Sequence, residues 1–176
     1  MATYLKNNAV GVDKEINSCI KRINRFLNEN YSFNVDIYHK VYRERTTDGV
    51  YAPYVFVSDK DYKEVFLNDK TNGEVAFYLN NKRDIPGFVW VDCNVIFSIN
   101  LDKIDNGSLQ REDEKAMLIA LAAVQECGEV SAINTGLENV FSDFNTDRIK
   151  FRDMQPYFNF SFSINLTYKN SRCYDL

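Results

Sequence analysis

Tyr157–Tyr168 reads YFNFSFSINLTY. Every second residue from Phe158 gives Phe158, Phe160, Phe162, Ile164, Leu166 and Tyr168; between them lie Tyr157, Asn159, Ser161, Ser163, Asn165 and Thr167. A period of two is that of a strand, whose successive side chains point to opposite sides of a sheet. One side of this strand is apolar. The other, Tyr157 apart, is small, polar and uncharged, in a chain that is 26% charged. Burying Phe158, Phe160, Phe162, Ile164 and Leu166 at roughly 1.5–3 kcal/mol each contributes on the order of 10 kcal/mol as an upper bound, comparable to a domain's net stability. The uncharged side has two readings. It is an ordinary wet sheet face, for which Thr is well suited, or it meets another subunit or lines a passage, where a desolvated charge costs more than an amide or hydroxyl.

The same period recurs upstream. In FVWVDCNVIFSINL, Val89, Val91, Cys93, Val95, Phe97, Ile99 and Leu101 alternate with Phe88, Trp90, Asp92, Asn94, Ile96, Ser98 and Asn100. At about 3.3 Å per residue this strand extends on the order of 45 Å, making it the spine of the sheet. Val35, Ile37, His39 and Val41 alternate with Asp36, Tyr38, Lys40 and Tyr42. Asp48-Gly49 supplies a tight turn, and Val50–Val57 returns as a second strand in which Pro53 suits an edge or bulge. YKEVFLN and EVAFYLN, separated by DKTNG, read as a second small hairpin.

Helices punctuate these strands. Val12–Asn30 carries Ile16, Cys19, Ile20, Ile23, Phe26 and Leu27 at helical spacing, with Asp13 as N-cap. Ser108 caps a helix over Leu109–Glu126 with the stripe Met117, Ala120, Leu121 and Val124, stopped by Gly128. Thr135 and Glu138 form a capping box for a short helix along Leu137, Val140, Phe141 and Phe144. Arg148–Arg152 alternates again as a strand. The order predicts one α+β domain over residues 1–176: an antiparallel or mixed sheet, two main helices on one face and a projecting hairpin, with 1–11 and 170–176 as tails or arms.

At 176 residues with 45% hydrophobic and 14% aromatic content the chain is long and apolar enough to fold on one core. Cys19, Cys93, Cys127 and Cys173 form no C-x-x-C pair, which excludes the common zinc and redox spacings and fits reduced thiols. No charged leader precedes an apolar run, and no stretch of about 18 apolar residues exists, so a non-membrane protein made in a cytoplasm is expected. The net charge of −4 disfavours a phosphate-gripping role. Charge is segregated, however. Glu126, Glu129, Glu138, Asp143 and Asp147 lie in a stretch without Lys or Arg, and Arg148, Lys150 and Arg152 follow at once. Unlike patches on opposite flanks suit head-to-tail contacts; pairing within the chain is the equal alternative.

Catalytic chemistry is not signalled. His39, the single histidine, sits on the apolar parity of a strand and reads as a core or sheet-edge residue. G-x-S-x-G, H-E-x-x-H, Walker and G-x-G-x-x-G patterns are missing. Asp59-Lys60-Asp61, Asp102 with Asp105, and Glu112-Asp113-Glu114 are acidic groupings, but the first and last adjoin cations and acids at a helix start answer its dipole. Phe158, Phe160 and Phe162 form a complete core face rather than a base-stacking platform. No catalytic residue, cofactor or metal is assigned.

The helix IKRINRFL, the hairpin NVDIYHKVYRERTTDGVYAPYVFV, the spine WVDCNVIFSINLDKI, the helix opened by QREDEKAM, then TGLENVF and the final strand together resemble, over residues 12–168, the small neck and tail-completion proteins of tailed bacteriophages, the tail-terminator and head-tail connector group. The resemblance implies a non-enzymatic virion protein forming a ring, commonly a hexamer or dodecamer, between capsid portal and tail. Its partners would be copies of itself and other neck, portal or tail proteins, with DNA passing unread. It also implies that the 44–52 hairpin tip and the 102–115 loop reach neighbouring subunits. With the charge segregation and the uncharged strand face, this marks Arg45, Asp48, Asp102, Asp105, Glu126, Glu129, Arg148, Lys150, Arg152, Asn159, Ser161 and Ser163 as subunit-interface candidates. Two alternatives stand beside it: a monomeric or dimeric cellular protein-binding module, and a hydrolase or nuclease using carboxylates such as Asp102 and Asp105.

Overall fold

The structure, a computed structural model, describes residues 2–30, 34–47, 49–58, 61–68, 70–104 and 112–169. Seven strands, β1 (Asp36–Arg45), β2 (Tyr51–Ser58), β3 (Asp61–Glu64), β4 (Gly73–Ile85), β5 (Phe88–Asn100), β6 (Val130–Thr135) and β7 (Tyr157–Lys169), form one sheet in the order β3-β2-β1-β4-β5-β7-β6. Every neighbouring pair is antiparallel except β1 and β4, so the sheet is mixed and the class is α+β. The spine and the final strand lie side by side in unbroken register, Phe97 opposite Phe160 and Val95 opposite Phe162. That register puts the two apolar parities on one face.

Helix α1 (Val12–Asn30) and helix α3 (Asp113–Gln125) cover this face. Ile16, Cys19, Ile20, Ile23 and Leu27 are buried, the i, i+3, i+4, i+7 stripe facing the sheet, while Lys14 and Lys21 stay in water. In α3 the inward residues are Ala116, Ala120, Ala123 and Val124, with Met117 and Leu121 only partly buried. Alanines let this helix approach closely where Phe97, Phe160 and Phe162 already fill the layer. The helix starts at Asp113 on the N-cap Glu112, and Ser108 lies outside the described residues. At its end the amide of Cys127 bonds the Val124 carbonyl, and Gly128 does not adopt a left-handed conformation.

Crowding is greatest where β4 begins. A Cβ on Gly73 would lie 2.7 Å from Val35 Cγ1 and 2.8 Å from Ile99 Cγ2. Gly73→Ala is therefore expected to destabilise by about 1–3 kcal/mol through overpacking. Urea unfolding checks this; an unchanged midpoint would place Gly73 outside the core.

Several sequence expectations are overturned, each by tertiary packing. The first residues are not a tail: the Tyr4 amide bonds the Ile37 carbonyl at 2.9 Å, the Ile37 amide bonds the Ala2 carbonyl at 2.8 Å, and Tyr4 stacks on Tyr38 at 4.5 Å. In the β1–β2 hairpin, β1 pairs with β4 up to Val41 opposite Tyr78, and from there to Arg45 opposite Tyr51 its registered partner is β2. YKEVFLN and EVAFYLN do not pair with each other. β3 joins the edge of β2, and the chain crosses to the far side of β1 before β4 begins, burying Val65 and Phe66 on the way.

Helices were expected on one face only, but the second face is covered too. Leu137, Val140, Phe141, Phe144 and Ile149 pack with Val65 and Phe66 over Tyr38, Ala76 and Ile96. Their carriers are the one-turn helix α4 (Leu137–Val140) and a 3-10 helix at Asp147–Asp153. The expected capping box is not formed: Thr135 ends β6, and Gly136 occupies the N-cap at φ 84°, ψ 148°, a conformation reserved for glycine. Arg148–Arg152 is not a strand, since burial of Ile149 and Arg152 three residues apart matches a 3-10 turn.

Candidate functional site

The 3-10 helix delivers Arg152 into the sheet at 1% exposure. Its Nη1 donates to Ser98 Oγ at 2.7 Å, its Nη2 donates to the Asn68 carbonyl at 2.6 Å and lies 3.0 Å from Glu74 Oε2. The guanidinium carbon stands 5.1 Å over the Tyr157 ring. Asn159 Nδ2 in turn donates to the Arg152 carbonyl at 2.6 Å. Glu74 also accepts from the Phe66 amide, and Phe66 takes a φ of 68°, strained for a bulky side chain and held there by this packing. Burial pushes the Glu74 carboxyl up, opposed by the charges of Arg152 and Lys63. Glu74, Ser98, Arg152, Asn159 and Ser161 are all buried, so the cluster is a sealed ionic knot tying the 3-10 helix, the 65–68 turn and three strands together.

The expected subunit-interface residues separate into three groups. Arg152, Asn159 and Ser161 are buried within the chain, which corrects their reading as contact residues; the uncharged strand face lies partly under the chain's own α4 and 3-10 helix. Ser163 is half-buried and donates to Asn94 Oδ1 at 2.8 Å. The charge segregation also resolves largely inside the chain. Arg148 pairs with Glu64 at 2.7 Å, Lys150 with Asp147 at 2.6 Å, Glu126 with Arg25 at 3.9 Å, and Asp143 with Arg43 at 3.7 Å. Arg45, at the end of β1, Asp102, in the one-turn helix α2 (Leu101–Ile104), and Glu129, ahead of β6, are exposed and far apart in the fold order. Asp48 and Asp105 lie outside the described residues, as do residues 105–111 of the 102–115 loop.

His39 is buried, its Nε2 3.3 Å from the Asp13 carbonyl, a geometry in which the ring donates. Burial pushes its pKa down, so the ring is neutral at neutral pH. Asp13 does not cap α1; its carboxylate takes Lys6 at 2.6 Å and Lys40 at 2.9 Å. Burial raises its pKa, but these two hydrogen bonds outweigh that and hold it below the usual range. Asn17 binds both backbone groups of Lys6 and shapes a shallow depression of about 470 Å³ that also exposes Lys14 and Lys21. Among the described residues no three His, Cys, Asp or Glu side chains are grouped to hold a metal, and no helix is long and apolar enough to cross a membrane.

The surface also carries exposed apolar side chains. The ionic knot and the second core cover only one half of the second sheet face. On the other half, Phe88 and Trp90 of β5 stand 45% and 42% exposed, bordered by Asp92 of β5 and by Thr167 and Asn165 of β7, with Arg83 of β4 bonded to Asp92 at 3.1 Å. Ile133 of β6 is 46% exposed. These residues were absent from the expected contact set. Their signal was present in the spine strand, where Phe88 and Trp90 occupy the otherwise polar parity of Asp92, Asn94, Ser98 and Asn100. Comparison with protein-family models, curated proteins and solved structures gives no match.

Proposed function

We propose that this chain is a non-enzymatic structural protein of the neck or tail junction of a tailed phage, forming a homo-oligomeric ring through which DNA passes between portal and tail. The carrying observation is the open half of the second sheet face, where Phe88 and Trp90 lie two positions apart on β5, an internal strand. Exposed aromatics on a backbone held by neighbours on both sides lose little entropy when covered, which favours a protein partner over a small ligand. The buried ionic knot supports the same reading, since Glu74, whose carboxyl burial pushes up, is shut away from any substrate. The alternative, a monomeric or dimeric cellular binding module, uses the same surface with a different stoichiometry.

Native mass spectrometry of the full chain, alone and mixed with portal and tail-tube components, tests the proposal. A closed ring is the expected result. Trp90 is the single tryptophan, so its emission should move to the blue as the ring forms. A chain that stays monomeric in every mixture, with unchanged emission, overturns the ring and leaves the binding module.

A further inference from the structure

The two edges of the sheet are built differently. β3 is four residues long, DYKE, and three of them are charged. Lys63 bonds the Tyr38 hydroxyl at 2.6 Å and Glu64 bonds Arg148 at 2.7 Å, so its charges are anchored where a foreign strand would have to strip them of water. Short length and charge are the usual guards of an exposed edge. β6 carries neither guard. Its six residues, VSAINT, hold no charge and no proline, and Ser131, Ala132, Ile133 and Thr135 are exposed. Among the described residues β7 is its one strand neighbour. An irregularity between Val130 and Ala132 lies at its start; from Ala132 opposite Ser163 to Thr135 opposite Phe160 the pairing is regular.

We infer that β6 is a self-pairing edge through which two copies of this chain join by antiparallel strand addition about a two-fold axis near Ile133. The occupant is argued from charge and shape. An axis perpendicular to the sheet brings two copies of β6 together antiparallel with equivalent faces on the same side, so a residue opposes one of its own parity. Centred on Ile133, this register sets Ile133 against the partner's Ile133, Ala132 against the partner's Asn134, and Ser131 against the partner's Thr135. Within Ser131–Thr135 no charge is desolvated and no like charges meet. The exposed isoleucine is covered by its own copy, a favourable cross-strand pair, while the Ser131 hydroxyl stays on the Ser163 carbonyl at 3.1 Å. Addition of β6 to β3 of another copy is disfavoured, because it places a neutral strand against Asp61, Lys63 and Glu64.

The pairing goes beyond the ring proposal and is separable from it. Sedimentation of the full chain across concentration should show a reversible species at least twice the monomer mass. Ile133→Lys puts like charges face to face at the axis, and should weaken that association at least ~100-fold with an unchanged circular dichroism spectrum and melting temperature. An equimolar mixture of Ile133→Lys and Ile133→Glu chains should restore it. Assembly unaffected by Ile133→Lys overturns the inference, as does a wild-type chain that never pairs. A closed ring together with two-fold association that Ile133→Lys leaves unweakened sinks the edge pairing and leaves the ring standing; a dimer that Ile133→Lys dissociates and that never closes does the reverse.

Discussion

Arg152→Ala is expected to lower the unfolding free energy by roughly 3–5 kcal/mol, the usual cost of stripping one member from a buried ion pair. The loss has several sources. The variant removes the donors to Ser98 and Asn68, leaves the Asn159 anchor on an altered turn, and strands Glu74 at 1% exposure with Lys63 as its remaining cation of influence. Its dependence on pH identifies the cause. Burial already pushes the Glu74 carboxyl above its ordinary value, and Arg152 is the leading influence pulling it back. Without the guanidinium the folded state binds that proton more tightly still, whereas the unfolded state keeps an ordinary glutamate. Stability must then fall as pH rises from the ordinary glutamate range towards neutrality, because the folded carboxyl either stays protonated at a growing cost or ionises unpaired. Urea unfolding at pH 4.5 and pH 7.5 should show the deficit growing with pH. A deficit equal at both values would mean that lost packing, not an uncompensated carboxylate, is responsible. Adding Glu74→Gln to Arg152→Ala should flatten the pH dependence.

A loss of similar size, about 3–5 kcal/mol, is expected for Phe160→Ala. Phe160 is fully buried, stacks on Phe97 with ring centres 5.1 Å apart and an interplanar angle of 5°, and touches Phe158 at 4.9 Å and Phe162 at 5.6 Å. The three remaining rings cannot collapse into the space that a benzyl group leaves, so the cavity cost adds to the lost burial. Thr167→Ala, on the exposed parity of the same strand, is the internal control and should change stability by less than about 0.5 kcal/mol. Equal effects from the two substitutions would refute the assignment of faces on β7.

Strands β5 and β7 and helix α1 were legible because each has one continuous apolar side. Phe158 to Leu166 and Val89 to Ile99 repeat at two, and Ile16 to Leu27 repeats at three and four, so period alone reports both element and inward face. β6 and the 3-10 helix were not legible for the opposite reason. VSAINT is an edge with little to bury, and DRIKFRD alternates by composition while its buried residues, Ile149 and Arg152, fall three apart. The pairing of YKEVFLN with EVAFYLN was plausible locally, yet long-range pairing of β4 with β5 and β1 prevailed. The uncharged side of β7 was read as either a wet face or a contact face. Its cover turned out to be intrachain over Asn159 and Ser161, and the open half displays Phe88 and Trp90 instead.

By itself, the order of apolar and polar residues determined the α+β class, the extent of α1, β5 and β7, and which side of each turns inward, because burial of a single face is a property each segment carries in its own period. Only the tertiary structure decided that the second sheet face has a core of its own, that Arg152 meets Glu74 across 78 positions of chain, and that β6 ends as an unguarded edge. Those outcomes depend on which strands become neighbours and what the connecting segments cross, and no periodicity within a segment encodes its distant partner.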